Sequence, residues 1–269
     1  MPVKKDASGR RSVEAEVQVP GTPEEVWQAI ATGPGISSWF VPSEVDGRVG
    51  GAAVSHFAPN NAMDSVGKIT AWQPPSRFAV ETHEGQGPGP VATEWIVEAR
   101  GGGTCVVRVV HSWVASTDDW DKEFEGHTQG WAGFFRILRL YLTHFPGQHG
   151  SSFQVMGTSQ LPTIEAWQAF LGPLGLMNAQ VGQHVRTASG APPLSGVVEG
   201  AGQSEWPHEM LLRLDEPAPG LAHAFPLPMG GQVYLVLRVY VFGARASEIA
   251  ADAEPTWRTW IGTHFAAVG

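Results

Sequence analysis

An internal match constrains this chain more than any other feature. The segment Glu25-Val26-Trp27-Gln28-Ala29-Ile30 returns as Glu165-Ala166-Trp167-Gln168-Ala169-Phe170, and Thr143-His144-Phe145 returns as Thr263-His264-Phe265. The first motif opens each half and the second closes it, at similar spacing. Paired signals at both ends mean two copies of one supersecondary plan, so the chain reads as an internal duplication. Its 269 residues hold two modest domains.

The plan is clearest in the first half. Residues 12–19 alternate polar and apolar, as a strand with Val13, Ala15, Val17 and Val19 inward. Thr22-Pro23-Glu24-Glu25 supplies an N-cap, a proline at the first helical position and early acids. That helix carries Val26, Trp27 and Ile30 and ends near Gly33-Pro34-Gly35, before a short turn or helix at Ile36 to Phe40. From Glu44 to Val114 strands alternate with turns at Gly50-Gly51, Asn60-Asn61, Pro74-Pro75, Gly85 to Pro90 and Gly101-Gly102-Gly103. In Thr104 to Val114, Arg108 marks the outward face. Cys105, Val107, Val109, His111 and Trp113 then share the other. From Asp118 the chain turns helical, with Trp131, Phe134, Phe135, Leu138 and Leu142 in one stripe.

Pro146-Gly147 marks the end of that helix. The second half repeats the order: a strand at Phe153 to Met156, a helix stopping at Gly172-Pro173, strands at Glu209 to Leu214 and Gln232 to Phe242, and a closing helix from about Ala246. Strand, short helices, meander and long helix make an α+β plan rather than a parallel α/β one. The divisions expected are a disordered leader at 1–11, a first domain at 12–146 and a second, divergent one at 151–269. Proline-rich stretches at Ala191-Pro192-Pro193 and Pro217 to Pro228 are expected to stay out of central strands and to shorten the second sheet, leaving its cavity partly collapsed or repurposed as a partner surface.

Seventeen basic residues face 26 acidic ones, a formal charge of −9, and no basic cluster exists to replace the counterions of a nucleic acid. No stretch approaches the ~20 apolar residues of a membrane span. The first residues carry no apolar core of a secretory signal. Cys105 is the only cysteine, which rules out an intrachain disulfide and a multi-cysteine zinc site. The expectation is a cytoplasmic protein in which Cys105 fills the core. The histidines are scattered with no paired spacing, so no metal and no cofactor are expected.

Several pieces of the first half resemble a known family. They are Val26-Trp27 with Trp39-Phe40, the run Glu44-Val45-Asp46-Gly47-Arg48-Val49-Gly50-Gly51, Gly67-Lys68-Ile69 leading to Pro74-Pro75-Ser76-Arg77-Phe78, Gly103-Thr104 opening the strand to His111, and Gly130-Trp131. In this order they are similar to the SRPBCC (START-like) superfamily, in the branch named for the activator of the heat-shock protein 90 ATPase. The resemblance implies a helix-grip fold, a curved antiparallel sheet wrapped around a long C-terminal helix, here in two tandem copies. It also implies a cavity between sheet and helix. The second half lacks the Glu44 to Gly51 run.

The expected function is non-catalytic binding of a small hydrophobic or aromatic molecule. The expected ligand-binding wall is Trp39, Phe40, His56, Phe57, Trp95, His111, Trp113, Trp131, Phe134, Phe135 and Leu138. An alternative in the same superfamily is a polyketide aromatase/cyclase-like enzyme with His111 as acid/base. Another is a chaperone ATPase-activator-like interaction module, and a protein partner or homodimer stays open. Gly126, Gly130 and Gly133 on the long helix each cost about 1 kcal/mol relative to alanine. Close packing or room for a ligand offsets that. The acidic run Asp118, Asp119, Asp121, Glu123 and Glu125 reads as helix-dipole and solubility chemistry.

Overall fold

A computed structural model describes residues 3–6, 9–57, 64–83, 89–114, 121–203 and 206–267, with 121–129 as backbone only. They divide into two compact units, Met1–His149 and Gly150–Gly269. The Asn60-Asn61 turn, residues 85–88 of the Gly85 to Pro90 turn, Asp118 and Asp119 lie outside the described residues. So do the side chains of Asp121, Glu123 and Glu125.

The first unit runs β1 (Lys4–Lys5), β2 (Arg10–Pro20), α1 (Pro23–Ala31), α2 (Gly33–Ser37), β3 (Ser43–Val45), β4 (Ala52–His56), β5 (Asp64–Gln73), β6 (Arg77–His83), β7 (Pro90–Arg100), β8 (Thr104–Val114) and α3 (Asp121–His144). Its eight strands order as β1-β2-β8-β7-β6-β5-β4-β3, every pairing antiparallel. The disordered leader is corrected here, since Lys4 and Lys5 pair with Ser12 and Arg11. A turn makes this possible: Asp6 Oδ1 accepts from the Arg10 amide at 3.1 Å, and Gly9 takes φ +81°. Val3 then packs against Val13, Val91 and Trp113.

Local signals explain the elements around the concave face. Thr22 and Glu25 form a reciprocal capping box, with Thr22 N–H donating to Glu25 Oε2 at 2.8 Å. The Glu44 to Gly51 run is a hairpin device joining β3 to β4. Gly50 takes φ +87°, and a Cβ on Gly51 would lie 2.0 Å from the Asp46 carbonyl oxygen, so only glycine fits there. β8 keeps unbroken register with β2 and β7. Cys105, Val107, Val109, His111 and Trp113 are therefore buried on one face. Arg108 lies on the other, half-buried and paired with Glu16 and Glu98.

The second unit runs β9 (Ser151–Ser159), α4 (Thr163–Leu174), β10 (His184–Arg186), β11 (Ser195–Gln203), β12 (Trp206–Glu216), β13 (Gly220–Met229), β14 (Gln232–Val241), α5 (Ala246–His264) and β15 (Ala266–Ala267). Its sheet orders as β10-β11-β12-β13-β14-β9-β15. As in the first unit, the opening strand lies beside the last long strand, and the meander runs outward from it. The counterpart of β3 is missing, which matches the missing Glu44 to Gly51 run.

Two expectations about prolines are corrected. Pro226 and Pro228 lie inside β13, which has neighbours on both sides in the sheet order. The ladder to β12 stops at Met210↔Ala224, so both prolines sit where β13 pairs with β14 alone and a lost donor leaves no gap on the β12 side. The second helix does not stop at Gly172-Pro173 either. It runs through Pro173 to Leu174 and ends at Gly175 with φ +72°, whose amide donates to Gly172 O.

Two outcomes follow for the second unit. Burial pushes the Tyr240 hydroxyl up to about 12. The unfolded phenol ionises near 10, so the native state gives up stability as pH rises from about 10 toward about 12. Denaturant midpoints across that range should fall for the wild type and flatten in Tyr240→Phe. Trp257 is 1% exposed at the centre of the core, so Trp257→Ala should cost about 3–5 kcal/mol in equilibrium unfolding.

Candidate functional site

Between α3 and the concave face of the first sheet lies a cavity of about 800 Å³. A curved sheet and one straight helix leave such a gap unless side chains fill it. Ile30, Ile36 and Phe40 close it from the α1–α2 side, Gly130, Trp131 and Phe134 from α3, and Phe57, Phe78 and Trp95 from the sheet. The aromatic rings interlock. Phe40 stacks on Trp131 at 5.1 Å and meets Phe134 edge-on at 4.3 Å, while Trp95 meets Trp131 edge-on at 5.0 Å.

The polar groups come from the sheet. Register places Ser43 opposite Ser55 and Ser55 opposite Ser65, and Thr93 opposite His111, with all five against the cavity. His111 is held from two sides. Trp131 Nε1–H donates to its Nε2 at 2.6 Å, and its Nδ1 lies 2.9 Å from Thr93 Oγ1. An indole nitrogen only donates, so Nε2 is the unprotonated nitrogen and the proton sits on Nδ1.

Of the residues expected in the wall, the structure brings Phe40, Phe57, Trp95, His111, Trp131 and Phe134 together around the cavity. Trp39 is fully buried elsewhere, its Nε1–H donating to Ala29 O at 2.9 Å. Trp113 packs with Val13 and Val91 farther along β8. Phe135 and Leu138 are buried behind the wall, Phe135 against Trp131 and Trp95. His56 does not reach the cavity: it pairs with Asp64 across β4 and β5, its Nδ1 2.9 Å from the carboxylate, and of the two only Asp64 belongs to the lining. Sequence reasoning missed Ser43, Ser55, Ser65, Thr82 and Thr93. Small hydroxyls on strands carry no local signal, and only the cross-strand register assembles them.

The second unit has the same frame but no comparable space among its described residues. Leu171, Leu174, Leu194, Met210, Leu212, Leu237 and Trp257 leave about 10 Å³ between helix and sheet, room for one water at most. Cys105 is buried in the first unit, and burial, then the charges of Glu24 and Glu25, push its thiol up and keep it inert. Among the described residues no helix is long and apolar enough to cross a membrane.

Residues 10–141 match the family described as polyketide cyclase / dehydrase and lipid transport. The first unit belongs to the SRPBCC (START-like) superfamily. Both units are helix-grip domains, in tandem. Similar solved structures include the di-domain ARO/CYC BexL from the BE-7585A biosynthetic pathway, at 14% identity over 96% of this chain and 100% of that one, TM-score 0.44. CalU16 from Micromonospora echinospora is 18% identical over 54% of this chain and 83% of that one, TM-score 0.43. The Aha1 dimer from Colwellia psychrerythraea is 21% identical over 49% and 95%, TM-score 0.41. No curated protein matches.

The indole donor makes a specific demand on the SRPBCC cavity wall. Trp131→Phe keeps the ring but removes the hydrogen bond to His111, and should cost about 1 kcal/mol in equilibrium unfolding. In His111→Phe, which has no acceptor to lose, the same Trp131→Phe change should cost less. A double-mutant cycle checks the coupling.

Proposed function

We propose that the first unit binds a small hydrophobic or aromatic molecule in this cavity without transforming it. The observation that carries the reading is the cavity itself, about 800 Å³ walled by aromatic rings. That volume falls in the range of small-molecule sites, which are mostly apolar with a few placed polar groups. The matched family, with cyclases, dehydrases and lipid transport in its description, also favours a hydrophobic ligand.

His111 supports binding over turnover. A general base needs a lone pair within reach of the substrate proton, and the Nε2 lone pair already accepts from Trp131. A cyclase or dehydrase remains the second reading, favoured by the same family description. In it Trp131 must release His111 when substrate enters.

Gly130 provides the test. It lies on the cavity wall, and a Cβ built on it meets nothing within 4 Å. Native mass spectrometry of the purified chain should show a retained small molecule. Gly130→Leu should fill the space and remove that mass without lowering the unfolding midpoint, since leucine is the better helix former. An empty wild-type protein across mild preparations would count against the reading. Conversion of an aromatic precursor, lost in His111→Ala, would move the assignment to the enzyme.

A further inference from the structure

The charged groups in the wall of the first unit's cavity share one sign and one end. Glu44 and Asp64 belong to the lining, and no lysine or arginine does among the described residues. Both acids come from the β3–β5 edge, Glu44 opposite Val54 and Asp64 opposite His56. His56 stands between them, its Nδ1 2.9 Å from Asp64 Oδ1 and its Nε2 3.7 Å from Glu44 Oε1. One imidazole carries at most one positive charge, so the three groups together stay net negative whichever form it takes. The Asp64 side chain is the more sheltered, 17% exposed against 80% for Glu44, so water and salt screen it less.

The other polar part of the wall is too far away to balance these acids. Thr93 pairs with Val80, and Val80 with Ile69, which lies five residues along β5 from Asp64. That is roughly 16 Å along the strands, with two strand spacings across besides. His111, donating from Nδ1 to Thr93 and accepting at Nε2 from Trp131, is a neutral imidazole there and supplies no cation.

Aromatic rings begin beside the acids. Phe57 follows His56, one step along the ladder from Asp64. Its ring meets Phe40 edge-on at 5.7 Å, and Phe40 packs on Trp131 and Phe134. A ring face attracts a cation through its quadrupole, and a carboxylate adds a direct charge partner. An ammonium group entering here exchanges its water for both, while an anion meets like charge and finds no cation. We propose that this cavity selects a cationic ligand, an amine with an aromatic body, its ammonium held by Asp64 with Glu44 at the rim and its body among Phe40, Phe57, Trp131 and Phe134. The acids set the charge selectivity, and the rings supply affinity common to all flat ligands. This rests on the ligand-binding reading above.

Quenching of tryptophan fluorescence in the full chain tests it with three probes of one shape: 9-(aminomethyl)anthracene, a cation; 9-(hydroxymethyl)anthracene, uncharged; and anthracene-9-carboxylate, an anion. The amine should bind about tenfold tighter than the alcohol, and the carboxylate weakest. Asp64→Asn should remove most of the amine-to-alcohol ratio. Glu44→Gln, a change at an exposed edge position that does not endanger folding, should lower it about twofold. Gly130→Leu should weaken all three probes together. Charge selection is overturned if amine and alcohol bind alike, or if neither acid variant lowers the ratio. Amine binding that survives Gly130→Leu would be attraction to an acidic chain of formal charge −9, and would overturn it as well. Alcohol binding lost in Gly130→Leu, with no gain for the amine, would remove the charge selection and leave the cavity standing. Binding of none of the three would remove the cavity reading, and the cation with it.

Discussion

The Trp131 indole joins the three walls of the first unit's cavity. It rises from α3, stacks on Phe40 after α2, meets Trp95 from β7 edge-on and donates to His111 on β8. One side chain thus ties helix, loop and sheet at a fixed separation. A smaller residue would let α3 settle toward the sheet, because buried voids cost contact energy and packed interiors close them where they can. The polar end of the indole matters as much as its bulk. It sets the tautomer of His111, and through it the direction of the Thr93 hydroxyl.

The two units show how one frame is made hollow or full. Their strand orders correspond apart from β3 and the short edge strands β1 and β15, and each carries a long helix after its last long strand. The difference lies in the residues facing the helix. In the first unit the concave face carries Ser55, Ser65, Thr82 and Thr93, and α3 carries Gly130. In the second those roles fall to Leu194, Met210, Leu212, Leu237 and Trp257. Each buried methylene stabilises by about 0.8 kcal/mol, so a filled interior is the default. A hollow one forgoes that gain, and a bound apolar molecule restores it.

Much of the frame was legible in the residues themselves. The capping box at Thr22 and Glu25 is a contact within four residues, and the inward phase of Thr104 to Val114 follows from the pleat alone. The prolines were harder. Pro226 and Pro228 looked excluded from a central strand, yet the staggered end of β12 opens a place for them, and stagger is a property of two strands together. Pro173 sits in the last turn of its helix, where the stop is made by Gly175 two residues on. His56 sits beside a cavity-lining Phe57, but the pleat turns it to the face where Asp64 waits.

The sequence by itself determined the duplication, the α+β order, the buried face of β8 and the aromatic stripe of α3, because each is written in spacing along one element. Only the tertiary structure decided that the first unit is hollow and the second full, since volume depends on side chains from six or more elements meeting in one place. It also decided which aromatics face the space, leaving Trp39 and Trp113 in the core. The tautomer of His111 beside Thr93 belongs there too. A proton's position follows from what its acceptor's neighbour already donates, and that neighbour, Trp131, comes from another element, α3.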